Sequence, residues 1–170
     1  MSELPVRKSI RLKNHDYSQT GHYFVTICTK DRREALGTVI VGRDVHIAPY
    51  VQLSEYGTIT EKHINRINPL NKGIRVDMYV IMPNHVHLII IVDHGVDGAM
   101  WTSRPTGAAI PSIVRSLKTM ITKEIGFSLW QHSYHDHIIR NETDYIRICQ
   151  YINDNPAKWH EDRYHTDKTQ

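Results

Sequence analysis

The run from Asp77 to Val92, Asp-Met-Tyr-Val-Ile-Met-Pro-Asn-His-Val-His-Leu-Ile-Ile-Ile-Val, constrains this 170-residue chain more than any other stretch. Leu88 to Val92 is unbroken aliphatic sequence, which suits a strand covered on both faces. Pro83 has no backbone N–H for a sheet ladder and Asn84 tolerates a left-handed backbone. Met82-Pro83-Asn84 is therefore read as a turn between antiparallel strands Asp77–Met82 and His85–Val92. His85 and His87 are separated by one residue, so in a strand both imidazoles leave the same face. A core strand gains more from aliphatic side chains than from two imidazoles that need partners once desolvated. The pair is either two neighbouring ligands of one metal ion, or a satisfied interior histidine beside a surface one.

Around this hairpin the rest of the chain falls into order. Residues 1–21 carry Arg7, Lys8, Arg11 and Lys13 with few apolar residues, an exposed basic arm that is either solvated or in contact with phosphate. His22 to Thr29 alternates as a first strand. Between Leu36 and Val51, Thr38–Val41 and Val45–Ile47 suggest a small hairpin beside the main sheet. Ser54 reads as the N-cap of a helix with Tyr56, Ile59, His63 and Ile67 on one stripe, ended at Asn68-Pro69. His63 on that stripe reads as packing. Residues 94–110, rich in Gly, Ala, Thr and Pro, read as a long mobile loop.

From Pro111 a helix runs to Gly126, with Ile113, Leu117, Met120 and Ile121 as its buried side. No acidic residue occurs from Gly98 through Lys123, which makes Arg104, Arg115, Lys118 and Lys123 a candidate track for a phosphate backbone; a solvated helix face is the alternative. Trp130 to Arg140 reads as the last strand and holds a second His-x-His pair, His135 and His137, a competitor for any metal. Asn141 to Asn155 reads as a closing helix that Pro156 keeps from continuing. Tyr145, Ile148, Cys149 and Ile152 share its inward stripe, Tyr151 sits at the margin, and Asn155 follows one turn later on nearly the same side. Such a tyrosine either seals the core edge or presents its hydroxyl to a cleft.

The resulting order of strand, helix, strand, strand, helix, strand, helix fits an α+β, ferredoxin-like split βαβ antiparallel sheet with helices on one face, plus the hairpin insertion and the C-terminal helix. In that topology the first and third main strands are central, which puts His85 and His87 in mid-sheet. One domain over 1–170 is expected, with its core at about 7–159 and a polar tail from 160. A net charge of +3 and twelve histidines permit an anionic partner. Cys28 and Cys149 are far apart and show no metal or disulfide spacing, which suits the cytoplasm, and no run approaches the ~20 apolar residues of a membrane helix.

The wording of three segments also resembles a known family. Met82-Pro83-Asn84-His85-Val86-His87-Leu88 is similar to the signature of the single-tyrosine HUH transposases, especially the branch of REP-associated tyrosine transposases. Tyr151-Ile152-Asn153-Asp154-Asn155-Pro156-Ala157-Lys158 resembles that family's Tyr-Ile-x-x-Asn-Pro-x-Lys. The segment Trp130-Gln131 to Arg140 looks like one that follows the helix in the same branch and is not its metal-binding pair. The resemblance therefore implies Tyr151 as nucleophile and His85, His87 and Asn155 as metal ligands. Other branches have Gln at the position of Asn155.

The implied activity is cleavage and rejoining of single-stranded or hairpin DNA through a 5′-phosphotyrosine, with Mg²⁺ or Mn²⁺. Ligand type alone would equally admit Zn²⁺ or Ni²⁺. A phenol of pKa ~10 needs such help at neutral pH, and strand exchange that conserves bond energy needs no nucleotide cofactor. The resemblance spans roughly Arg7 to Trp159. Some relatives continue further, so their C-terminal features, dimer contacts included, are not carried over, and a monomer and a homodimer both stay open. A binding module without a reaction and a small metal-dependent hydrolase are the rival readings.

Overall fold

A computed structural model describes residues 20–42, 48–93 and 109–165. In chain order the elements are β1 (Gly21–Cys28), β2 (Gly37–Ile40), β3 (Tyr50–Leu53), α1 (Glu55–Asn65), α2 (Ile67–Leu70), β4 (Ile74–Met82), β5 (His85–Val92), α3 (Ala109–Ile125), β6 (His135–Ile139) and α4 (Glu142–Asp154). A 3₁₀ turn, Lys30–Arg32, follows β1 and another, Trp159–Glu161, follows α4. The main sheet has the order β4-β5-β1-β6, antiparallel throughout, so the first and third main strands are central as the sequence predicts. β5 is buried at all eight positions, which accounts for its unbroken aliphatic run.

The two faces of the sheet are covered by different helices, contrary to the one-sided expectation. Val86, Leu88, Ile90 and Val92 of β5 pack with Ile64 of α1 and with Ile110, Ile113, Val114, Leu117 and Ile121 of α3. Ile89 points the other way, into a smaller cluster with Ile139 and with Ile148 and Ile152 of α4. His85 and His87 share the parity of Ile89, so they face the side that α4 covers.

Local chemistry explains the element ends. The Ser54 Oγ accepts the Gly57 amide at 3.1 Å and the Asn141 side chain accepts the Asp144 amide at 2.8 Å, the N-caps of α1 and α4. Gly57 is required by a close approach: a Cβ built there would lie 2.0 Å from the Leu36 carbonyl oxygen. The α1 helix stops at Asn65, and Asn68-Pro69 lies within the separate short α2. His63 is buried and paired with Glu124 of α3 at 2.8 Å, a packing role as read.

Three elements depart from expectation. β4 begins at Ile74, because a bulge between Val76 and Met78 shifts the register and flips the side-chain parity around Asp77. β2 pairs with Tyr50–Leu53; Val45–Ile47, the partner the sequence suggested, lie outside the described residues. The last strand is only His135–Ile139; Trp130 makes an isolated bridge to Thr29, and the segment between is held otherwise. On α3, Met120 is 45% exposed instead of buried. Trp159, placed in the core by the sequence, is buried, and within the polar tail that follows it Tyr164 is buried as well.

Candidate active site

The imidazoles of His85 and His87 meet edge to edge, Nε2 to Nε2 at 3.0 Å, with neither ring exposed to solvent. Each outer ring nitrogen is held. Asn84 donates its Nδ2 to the carbonyls of Tyr164 at 2.8 Å and Arg32 at 3.2 Å, which turns its Oδ1 toward His85 Nδ1 at 2.8 Å. That oxygen only accepts, so His85 carries its proton on Nδ1 and presents a bare Nε2. His87 Nδ1 faces the Thr26 hydroxyl at 2.8 Å, a group that serves equally as donor or acceptor. With Thr26 donating, His87 Nε2–H bonds to His85 Nε2; with Thr26 accepting, both Nε2 lone pairs face inward. The second arrangement is that of two adjacent metal ligands with their outer nitrogens fixed by hydrogen bonds. Asn84 thus serves through its side chain, without the left-handed backbone it would tolerate, which Asp31 and Arg32 adopt instead.

Burial pushes His85 down to about 4 and, with His85 beside it, holds His87 well below the ordinary histidine value. Both rings are therefore neutral near pH 7, the form that binds a metal. The other ring faces are covered by aromatic side chains: Tyr164 and Trp159 lie 4.6 and 5.9 Å from His85, and Phe24 lies 5.0 Å from His87.

The margin position of Tyr151 on α4 does what the helical geometry permits. Its ring sits edge-on to Phe24 at 6.1 Å and its hydroxyl lies 3.2 Å from His87 Nε2 and 3.0 Å from Asp162 Oδ2. The residue stays 38% exposed, so a substrate can reach it. Burial and the Asp162 carboxylate raise its phenol above the ordinary tyrosine value, so it is protonated at neutral pH and donates to Asp162. Asn155 is buried, donates Nδ2 to the same carboxylate oxygen at 2.9 Å, and leaves its Oδ1 buried with no hydrogen-bond partner.

The sequence reading missed Asp162. His85, His87 and Asp162 each offer one ligand atom, and these atoms all lie within 4.8 Å of one another. The only signal for its placement was aromatic: Trp159 and Tyr164 bracket it in an otherwise polar stretch. The donor set fits a divalent ion. Two ligands at ~2.1 Å on adjacent corners of an octahedron lie about 3 Å apart, which is the separation of the two Nε2 atoms. The orphaned Asn155 oxygen and the Asp162 carboxylate are the hard donors such an ion takes.

Of the remaining site residues of the sequence reading, the three that are described all lie on α3, away from Tyr151. α3 lies on the opposite face of the sheet from Tyr151. There Arg115 and Lys123 are exposed, but the Lys118 ammonium donates to the backbone carbonyls of Gln131, His132 and Ser133 at 2.8, 3.3 and 2.8 Å. Its burial pushes it down to about 8. Lys118 is a clamp on the chain before β6, and three carbonyl acceptors leave it poorly placed for phosphate. Arg7, Lys8, Arg11 and Arg104 lie outside the described residues. The second histidine pair does not form a cluster: His137 Nε2 bonds to Asp144 at 2.8 Å, and both His135 and His137 are exposed.

A model of the family "Transposase IS200 like" matches residues 17–155. The chain belongs to the IS200-like transposase family. An uncharacterized protein of Haemophilus influenzae is 34% identical over 95% of this chain and 94% of its own length. The REP-associated tyrosine transposase of Escherichia coli K12 is 25% identical over 84% of this chain and 70% of its own. Among solved structures, a REP-associated tyrosine transposase bound to a REP hairpin superposes with a TM-score of 0.55 at 21% identity, covering 94% of this chain and 74% of the other. The fold is thus that of the family. Among the described residues no helix is long and apolar enough to cross a membrane.

Proposed function

We propose that this transposase cleaves and rejoins single-stranded DNA next to a hairpin through a covalent 5′-phosphotyrosine at Tyr151. The observation that carries the reading is Tyr151, 38% exposed as a residue yet with its hydroxyl 3.2 Å from His87 Nε2 in the buried histidine pair. A mere core-edge tyrosine has no need of that contact. The relative of known name and the solved structure bound to a REP hairpin support DNA with a hairpin as partner.

His85 and His87, with Asn155 Oδ1 and the Asp162 carboxylate, would hold Mg²⁺ or Mn²⁺. Bound there, such an ion supplies a Lewis acid that binds a phosphate oxygen and offsets developing charge. The protein's own residues do the rest. Phe24 packs edge-on against the tyrosine ring at the edge of the cleft, and the Asp162 carboxylate lies within hydrogen-bond reach of the proton the hydroxyl must lose. The Tyr151 oxygen then forms a bond to phosphorus while the bond to the 3′ oxygen breaks, leaving a free 3′-hydroxyl. Attack by that or another 3′-hydroxyl on the phosphotyrosine reverses the step and returns the proton to Tyr151. The exposed Arg115 and Lys123 serve as outlying phosphate contacts.

The deciding experiment is a cleavage assay on labelled hairpin DNA with a single-stranded flank and Mg²⁺ or Mn²⁺. Wild type should yield a protein–DNA adduct that survives denaturation, and Tyr151→Phe none. Cleavage that persists in Tyr151→Phe without an adduct would replace this reading with metal-dependent hydrolysis.

A further inference from the structure

Beside Tyr151 lies a cleft of about 610 Å³, a volume suited to a ligand of nucleotide size. Its floor is β1, through Phe24 and Thr26; one wall is β6, through His135, Asp136 and His137; the other is α4, through Arg147, Ile148 and Tyr151 itself. Arg163, from the turn after α4, stands at its rim. Anything seated here abuts the tyrosine.

The chemistry of the lining is that of a polyanion carrying flat apolar groups. Phe24 is half-buried and among the residues that line the cleft, an aromatic side chain of the kind on which a base stacks. Arg147 precedes Tyr151 by one helical turn on the same side of α4 and is 70% exposed. Asp144 takes one of its five donors and also holds His137, which leaves the guanidinium oriented and most of its donors open. Arg163 is steadied by stacking on the buried Tyr164 ring, 4.7 Å from its centroid. Asp136 is the single carboxylate of the lining, against two guanidinium groups.

Resting on the proposed strand-cleavage reading, we infer that this cleft seats the nucleotide adjoining the scissile phosphate, with its base stacked on Phe24 and its backbone phosphate held by Arg147 and Arg163. The second histidine pair, His135 and His137, thereby lines the substrate path instead of binding a metal.

The test is fluorescence anisotropy of labelled hairpin oligonucleotides whose single-stranded flank carries an abasic site at each position in turn. Binding is measured for wild type, Phe24→Ala and an Arg147→Gln/Arg163→Gln double variant, with Phe24→Leu as the control that keeps an apolar filler. An abasic site at one position should weaken wild-type binding by roughly 5- to 150-fold, Phe24→Ala should do the same, and the two together should cost no more than either alone. The arginine double variant should lower the slope of log affinity against log salt by about 1.4, two contacts at ~0.7 each for single strands. Additive losses at every position, or an unchanged salt slope, would overturn the inference. These results are independent of the adduct assay: coupling without an adduct would sink strand cleavage and leave the cleft assigned, while an adduct without coupling would sink the cleft alone.

Discussion

At the level of single residues, the two imidazoles of the site are held neutral by burial. Folding keeps His85 and His87 unprotonated, whereas an unfolded chain takes up protons on both below about pH 6.5. The unfolded state therefore binds more protons, and stability present above pH 6.5 is lost as pH falls toward about 4, where His85 itself titrates. Each histidine adds a slope of up to about 1.4 kcal/mol per pH unit over that window. Thermal melts in chelator at pH 7.5, 6 and 5 should show a falling Tm, and a His85→Gln/His87→Gln variant a flatter profile; equal profiles would remove the pair as the source. Asp162→Asn keeps the shape and loses the charge of the proposed ligand, so Mn²⁺ binding by calorimetry should weaken at least tenfold. What was legible here followed from spacing and wording: His-x-His in a strand, Tyr151 and Asn155 one turn apart. Asp162 was not legible, because its approach to Tyr151 depends on a turn after Pro156 that leaves no periodic trace in sequence.

At the level of elements, the strands and helices that sequence places well are those with one period throughout. β5, α3 and α4 are of this kind. β4 was read as starting three residues late because the bulge at Asp77 reverses its alternation, so Ile74 and Val76 fall on the same face as Tyr79 and Ile81. The last strand was read as starting early because Trp130 is apolar and bridged while residues 131–133 are held by their carbonyls on Lys118. A side chain tied to a loop 13 to 15 residues away has no local signature. This assignment separates two roles for Lys118. Lys118→Ala leaves carbonyl acceptors unpaired and should cost about 1–3 kcal/mol in urea unfolding, yet leave the salt slope of DNA binding unchanged. A stable Lys118→Ala with a reduced salt slope would instead return Lys118 to the phosphate track.

At the level of the whole molecule, the sheet separates two jobs. One face, under α1 and α3, holds the larger core, and the other, under α4, holds a small cluster of Ile89, Ile139, Ile148 and Ile152 beside the candidate site. The ferredoxin-like order was legible because two strand–helix units and a central hairpin admit few sheet topologies, but the two-sided cover was not, since the inward stripe of α4 says what it buries and not which face it meets. On so thin a layer the segment after α4 matters. Trp159 and Tyr164 are 5% and 2% exposed, and both pack on His85. Truncating a buried Trp to Ala costs about 3–5 kcal/mol, a large part of the 5–15 kcal/mol that holds a domain together. For a chain of this size that corresponds to a fall in Tm of roughly 6–20 °C. Trp159→Ala should therefore melt well below wild type and bind Mn²⁺ more weakly, because the ring that covers His85 also keeps the pair dry and aligned. A Trp159→Ala variant with wild-type Tm would mean that this segment does not close over the histidines in solution, and the carboxylate of Asp162 would then lose its place beside Tyr151.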